Sequence, residues 1–184
     1  MYDALRRLTQ LDEATWPFFT NALTEYKLSK GDTILHPGQI CRHIFFIQTG
    51  LLRSFYINDG DECSVAFTAE NSFITDLKSL RSEHPTKMTI QALEPSVILS
   101  ISKFELISLY RESHQLETFG RSLLESLLEE QEEYASWFKL YSAKERYALF
   151  CQRHPSLVRR LSLSHLASFL GIRRETLSRI RRLR

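Results

Sequence analysis

The spacing of apolar positions changes character along this chain. Between Tyr26 and Ser102 short apolar runs are interrupted by turn-forming residues about every 8–12 positions, which is the rhythm of a β-sandwich or barrel. The interruptions are Lys30-Gly31-Asp32, Pro37-Gly38, Thr49-Gly50, Asn58-Asp59-Gly60, Glu70-Asn71, Glu83-His84-Pro85 and Glu94-Pro95. They predict strands at about 33–36, 43–48, 51–57, 62–67, 88–93 and 97–102. Asp59-Gly60 between two alternating runs is the strongest local hairpin signal, because a two-residue turn needs positive φ at its centre. This part of the chain is expected to be antiparallel β with jelly-roll character. Ahead of it, Asp12-Glu13-Ala14-Thr15-Trp16 opens a short helix whose Trp16, Phe19 and Leu23 can share one core.

From Lys103 the period becomes helical. Phe104, Ile107 and Leu109 predict a short helix that ends the β region, and a long one runs from about Gln115 to Phe138. On the long helix Leu124, Leu127, Gln131, Tyr134, Phe138 and Tyr141 alternate steps of three and four, the seam of a helix that pairs with a partner. Leu116, Phe119, Leu123 and Leu128 widen the apolar surface, while Glu125, Glu129, Glu130, Glu132 and Glu133 crowd the opposite face. The expected role is homodimerisation. Leu140 to Ala143 reads as a hinge, with Ser142 capping a helix that Pro155 ends. The last stretch, Ser162 to Arg184, joins two short helical patterns at Gly171. Leu163, Leu166, Ala167 and Leu170 form the first, Leu177 and Ile180 the second, with Ile172 at the corner. Ser162 is a good N-cap, and glycine accepts the left-handed backbone that ends a helix. This is the construction of a helix-turn-helix, whose second helix enters the DNA major groove.

Charge sharpens that reading. The 184 residues carry a formal net charge of +2, which conceals a strong asymmetry. Residues 1–104 balance at −2 and residues 105–138 at −6, whereas residues 139–184 reach +10. Arg173, Arg174, Arg179, Arg181, Arg182 and Arg184 place six of those charges on twelve residues. A polyanion is drawn to one end of such a molecule. Arginine bonds bidentately to guanine, so Arg174 and Arg179 are expected to read bases, with Glu175 accepting from a cytosine amino group. Ser162, Ser164, Arg173, Thr176, Arg181, Arg182 and Arg184 are expected to hold phosphates.

Other classes fit less well. With 43% apolar and 25% charged residues the composition is that of an ordinary globular protein, and no run approaches a membrane span. The opening MYDALRRLTQLDEATW lacks the apolar segment of a signal peptide. Cys41, Cys63 and Cys151 are odd in number and widely spread, which points to a reducing cytoplasm rather than to a disulfide frame. His36, His43 and His84 do not form the closely spaced pair a cupin metal site needs. No metal, no cofactor and no enzymatic activity are expected.

The run Arg174-Glu175-Thr176, followed by Ser178-Arg179-Ile180, resembles the recognition helix of the catabolite-activator/Fnr family of bacterial transcription regulators. The closing LSRIR is similar to a shorter, Bacteroidetes-like branch of that family. The resemblance extends over the β region, which looks like the family's cyclic-nucleotide-binding β-roll. It implies an α+β protein in three parts: a sensor over 1–114, a dimerisation helix and hinge over 115–140, and a helix-turn-helix domain over 141–184. It also implies double-stranded DNA and a second copy of the chain as partners, with RNA polymerase and a small-molecule effector as further ones. In the best-known members a Gly-Glu pair and a later Arg-Ser pair hold the cyclic phosphate. Here Thr75-Asp76 stands at the first place and Thr86-Lys87 near the second. No arginine occupies the bidentate position, though Arg81 or Lys87 could lend charge to a pocket with Thr75, Asp76 and Thr86. The sensor is therefore expected not to bind cyclic AMP. The alternative is a cyclic-nucleotide-responsive module, or a cupin-like enzyme, without DNA binding.

Overall fold

A computed structural model describes residues 3–182. In chain order it runs α1 (Asp3–Thr9), α2 (Thr15–Asn21), β1 (Thr24–Leu28), β2 (Thr33–Leu35), β3 (His43–Thr49), β4 (Leu52–Asn58), β5 (Asp61–Thr68) and β6 (Phe73–Ile74). There follow α3 (Leu77–Ser82), β7 (Met88–Ala92), β8 (Ser96–Ser102), α4 (Lys103–Glu112), α5 (His114–Leu140), α6 (Ala143–Arg153), α7 (Leu157–Arg160), α8 (Leu163–Phe169) and α9 (Arg174–Arg182). The strands form two four-stranded sheets, ordered β1-β8-β3-β6 and β2-β7-β4-β5. The antiparallel jelly roll, the long helix and the C-terminal helices expected from the pattern are all present. Five elements were not expected from the pattern: α1, the edge strand β1, the two-residue β6, the short α3 and the single-turn α7.

The chain divides into two compact units that are not contiguous in sequence. One comprises Met1–Ser54 and Phe67–Leu124, the other Phe55–Ala66 and Glu125–Arg184.

The first unit is organised on β8. Its partner β1 pairs antiparallel from Thr24↔Ser100 to Leu28↔Ser96, and β3 flanks it from His43↔Ser102 onward. Ile47, Ile90, Ile98 and Leu116 are all 0% exposed and meet in one core. Each such side chain contributes about 1.5–3 kcal/mol relative to leaving it in water. Phe19 of α2 joins this core and meets Phe119 edge-on at 6.5 Å. Gly50 turns the chain between β3 and β4 at φ +102°, and a Cβ there would lie 2.1 Å from the Ser96 hydroxyl. No other residue fits that turn.

The second unit has an aromatic centre. Tyr134 and Trp137 of α5 stand perpendicular with centroids 5.0 Å apart, Tyr134 meets Phe169 of α8 at 5.4 Å, and Phe150 of α6 meets Phe169 at 5.3 Å. Ser142 starts α6 by a reciprocal capping box. Its hydroxyl accepts from the Glu145 N–H while the Glu145 carboxylate accepts from the Ser142 N–H at 2.8 Å. The Ser142 hydroxyl and N–H together hold the Glu145 carboxyl below the usual carboxylate range. The β4–β5 turn belongs to this unit. Asp59 and Gly60 both take positive φ, 51° and 86°, as the Asp-Gly signal requires.

On α5, Leu124, Leu128 and Phe138 are 43%, 55% and 49% exposed, and Gln131 and Ala135 are exposed between them. This stripe is rotated slightly from the one read off the spacing. Leu127 and Tyr134 are half-buried within the chain, and Leu128 and Ala135 take their places on the open face.

Candidate nucleic-acid interface

The basic C-terminal motif is built by ordinary helix-end chemistry. Ser162 caps α8 by accepting the His165 N–H at 3.0 Å. At the other end Ile172 N–H bonds the Ala167 carbonyl at 3.0 Å, and Gly171 N–H bonds that of Ser168 at 3.1 Å. With Gly171 at φ +65°, this is a Schellman stop. The chain is then redirected and α9 begins, Leu177 N–H bonding the Arg173 carbonyl at 3.1 Å. Leu166, Leu170 and Leu177 are 0% exposed and Ala167 2%. The small Ala167 lets the two helices approach, and their packing fixes the angle at which α9 is presented.

The exposed side of α9 is strongly cationic. Arg173, Arg174, Glu175, Thr176, Arg179 and Arg182 are exposed, so the residues expected to read bases all face solvent, as do Ser162 and Ser164. Glu175 and Arg179 are one turn apart on the same face, within reach of one groove floor. Arg181 is placed differently. Its guanidinium lies 5.8 Å from the centroid of the Tyr147 ring on α6, and its Nε and Nη2 are buried without a hydrogen-bond partner. The sequence held the signal: Arg181 is four residues past the fully buried Leu177, on the inward face. Arg184 lies outside the described residues.

Two contacts that spacing could not reveal brace this motif. Ser168 of α8 joins the β4–β5 hairpin: its hydroxyl donates to the Glu62 carbonyl at 2.6 Å and accepts the Ser64 N–H at 2.9 Å. Arg146 of α6 donates through Nε and Nη2 to the Leu170 carbonyl at 3.2 and 3.0 Å, and through Nη1 to the Tyr141 carbonyl at 2.9 Å.

The residues expected to line a ligand pocket lie in the first unit, and two of them, Asp76 and Thr86, are bonded to each other. Asp76 is buried and caps α3, accepting the Ser79 N–H at 3.1 Å and the Thr86 hydroxyl at 2.5 Å. Thr86 in turn accepts the Met88 N–H at 2.8 Å, and the Ser79 hydroxyl donates to the His84 carbonyl at 2.7 Å. Thr75 donates to the His43 carbonyl at 2.8 Å and touches the Cys41 thiol at 3.3 Å. Arg81 and Lys87 are exposed. The structure thus brings Asp76 and Thr86 together and leaves Arg81 and Lys87 outside their network. A separate open groove of about 470 Å³ lies beside β2 and β3, between Ile34 and Phe45.

Residues 25–113 match the family described as the cyclic nucleotide-binding domain. The chain joins that domain to a long helix and C-terminal helices, which is the fold of the Crp/Fnr regulators. Among solved structures it is similar to FixK2 from Bradyrhizobium japonicum, at 19% identity and TM-score 0.76, over 88% of this chain and 83% of that one. It is similar to the catabolite activator protein of Thermus thermophilus, at 19% identity and TM-score 0.60, over 94% and 83%. A crp/fnr family protein of Eubacterium rectale gives 18% identity and TM-score 0.72, over 95% and 83%. No curated protein matches the sequence. Among the described residues no helix is long and apolar enough to cross a membrane.

Proposed function

We propose that this protein is a cytoplasmic, sequence-specific transcription regulator that binds double-stranded DNA as a homodimer and is not an enzyme. Its parts are a β-roll sensor over 1–114, a dimer helix and hinge over 115–140, and a DNA-binding domain over 141–184. The observation that carries the reading is α9, a helix presented by a Schellman-stopped partner with Arg173, Arg174, Arg179 and Arg182 in solvent. In this reading Arg174, Glu175 and Arg179 reach base edges, and Ser162, Ser164, Arg173, Thr176 and Arg182 hold phosphates. The open stripe of Leu124, Leu128 and Phe138 supports pairing through α5, since an unpartnered apolar seam is covered in a stable assembly. A two-fold dimer presents its recognition helices about 34 Å apart, so the operator is an inverted repeat with half-sites about one helical turn apart. RNA polymerase is the further partner such a regulator addresses.

The sensor, in the same proposal, does not take cyclic AMP. The Asp76 carboxylate already occupies the N-terminus of α3 and the Thr86 hydroxyl, and a second anion there meets an uncompensated charge. A different effector remains compatible with the fold. The match over 25–113 favours one alternative, a cyclic-nucleotide-responsive module.

Mobility shift on random and selected duplexes across a salt series tests the DNA reading. Tight binding that weakens steeply with salt supports it, and no binding at low salt refutes it. A ligand present at 100 times its dissociation constant stabilises a protein by about 2.7 kcal/mol. A clear rise in melting temperature with millimolar cyclic AMP therefore overturns the sensor reading.

A further inference from the structure

Arg146 stands where two helices end. Its Nη1 bonds the Tyr141 carbonyl, next after the last residue of α5, and its Nε and Nη2 bond the Leu170 carbonyl at the close of α8. Helix C-termini carry partial negative charge on carbonyls that have no partner within their own helix. One cation here satisfies two such ends, with bonds strengthened by its charge. The Phe138 ring of α5 completes the arrangement. It lies 4.9 Å from the guanidinium carbon. The same ring borders the turn between α8 and α9, since a Cβ on Gly171 would come within 3.0 Å of it. Glu145 is committed to Ser142, and no ion pair of Arg146 is present among the described residues.

We infer that Arg146 is a positioning residue that fixes the direction of α9 relative to α5, and through it the half-site spacing the dimer accepts. It touches no base in this arrangement. The inference rests on the DNA-binding reading for its consequence but not for its geometry. Three features make arginine the required residue. The planar fork offers separate donors to two carbonyls, its flat face stacks on a ring, and it stays charged at every working pH. Lysine supplies the charge from a single nitrogen, without the fork or the flat face.

The test uses the full chain with Arg146→Gln and Arg146→Lys. Duplex libraries are built with one selected half-site and centre-to-centre spacings varied by one or two base pairs. Wild type is expected to prefer one spacing. In Arg146→Gln that preference falls about tenfold, while the base preferences within each half-site stay as in wild type; Arg146→Lys lies between. Uniform loss of affinity with the spacing preference intact overturns the inference and leaves Arg146 as a helix cap. A second measurement needs no DNA. Nitroxides at Glu132 and Thr176, in a chain with Cys63 and Cys151 replaced and diluted with unlabelled protein, report the separation of α5 and α9. The distribution is expected to broaden in Arg146→Gln at temperatures where circular dichroism shows it folded. An unchanged distribution overturns the inference. A broadened distribution, where the unlabelled wild type binds no duplex, removes the DNA reading and leaves the positioning role standing.

Discussion

Two parts of this molecule, the α3 cradle and the α8–α9 motif, employ the same chemistry to opposite ends. Both place a short helix beside hydroxyls and charged residues. In the cradle Asp76, Ser79, Thr86 and the α3 N–H groups bond to one another and are buried. In the α8–α9 motif the caps are completed by Ser162 and Gly171, and Arg174, Arg179 and Arg182 of α9 remain in solvent. A site whose own side chains satisfy its helix ends has little left for a ligand. A site whose helix ends are satisfied by a neutral hydroxyl and a glycine turn keeps its charges for a partner.

The comparison can be broken at the assembly that the open face of α5 supports. Leu124→Asp with Leu128→Asp puts two carboxylates into the stripe, at several kcal/mol if it is buried against a second copy. Light scattering should then show wild-type dimers and variant monomers at micromolar concentration, with the monomer's fold retained. If wild type is itself monomeric, the dimer reading fails.

Next in size is the cradle. Asp76→Ala removes the α3 cap and leaves the Ser79 N–H and Thr86 hydroxyl without their acceptor, an expected loss of about 2–3 kcal/mol by denaturant titration. DNA affinity should not change. Equal losses in stability and specificity would merge the two sites.

Within the basic motif the sharpening is finer. Arg179→Ala should cost about 1–3 kcal/mol at one symmetric pair of bases and relax preference there, whereas Arg182→Ala should weaken all duplexes alike and flatten the salt slope. Selection from a random library at two salt concentrations distinguishes them. Identical profiles for the two variants would refute the division into base and phosphate contacts.

The smallest effect is that of pH. His154 accepts or donates to the Tyr134 hydroxyl at 2.7 Å, and burial, with Arg153 nearby, holds its pKa below 6.5. Glu133 opposes that shift and is itself paired with Arg153 at 2.6 Å. The unfolded chain thus takes up the proton first. The stability from neutral His154 is fully present above pH 6.5 and is lost as pH falls through the lower folded value. Melting temperature should fall on acidification by an amount on the order of 1–2 °C that is absent in His154→Gln. An equal fall in both proteins would assign the effect elsewhere.

Much of the fold was legible because its signals are local. Asp59-Gly60, Ser142, Ser162 and Gly171 each act within a few residues, and each appears where the pattern puts it. The strand β1 was illegible because it is a half-exposed edge with no clean alternation, held by pairing to β8 some seventy residues later. The two residues of β6 are too few to carry a period. At the candidate interface the exposed positions of α9 followed from charge. Charge hid the placement of Arg181, which helical phase reveals. Ser168 and Arg146 were beyond reach because their partners are backbone groups, which carry no side-chain signal.

The hairpin's bond to Ser168 has a consequence for how the protein is made. Ser64 and Ser168 are separated by 104 positions. At synthesis rates of about 5–20 residues per second, the hairpin waits about 5–20 s outside the ribosome before its partner helix arrives. Throughout that interval the Glu62 carbonyl and the Ser64 N–H lack the Ser168 hydroxyl that bonds both in the finished chain. The nascent protein therefore passes through a stage with unpaired backbone groups on the β5 strand, when a chaperone would serve it best. For the same reason, a fragment begun at Glu125 would lack a piece of its own domain however long it was given to fold.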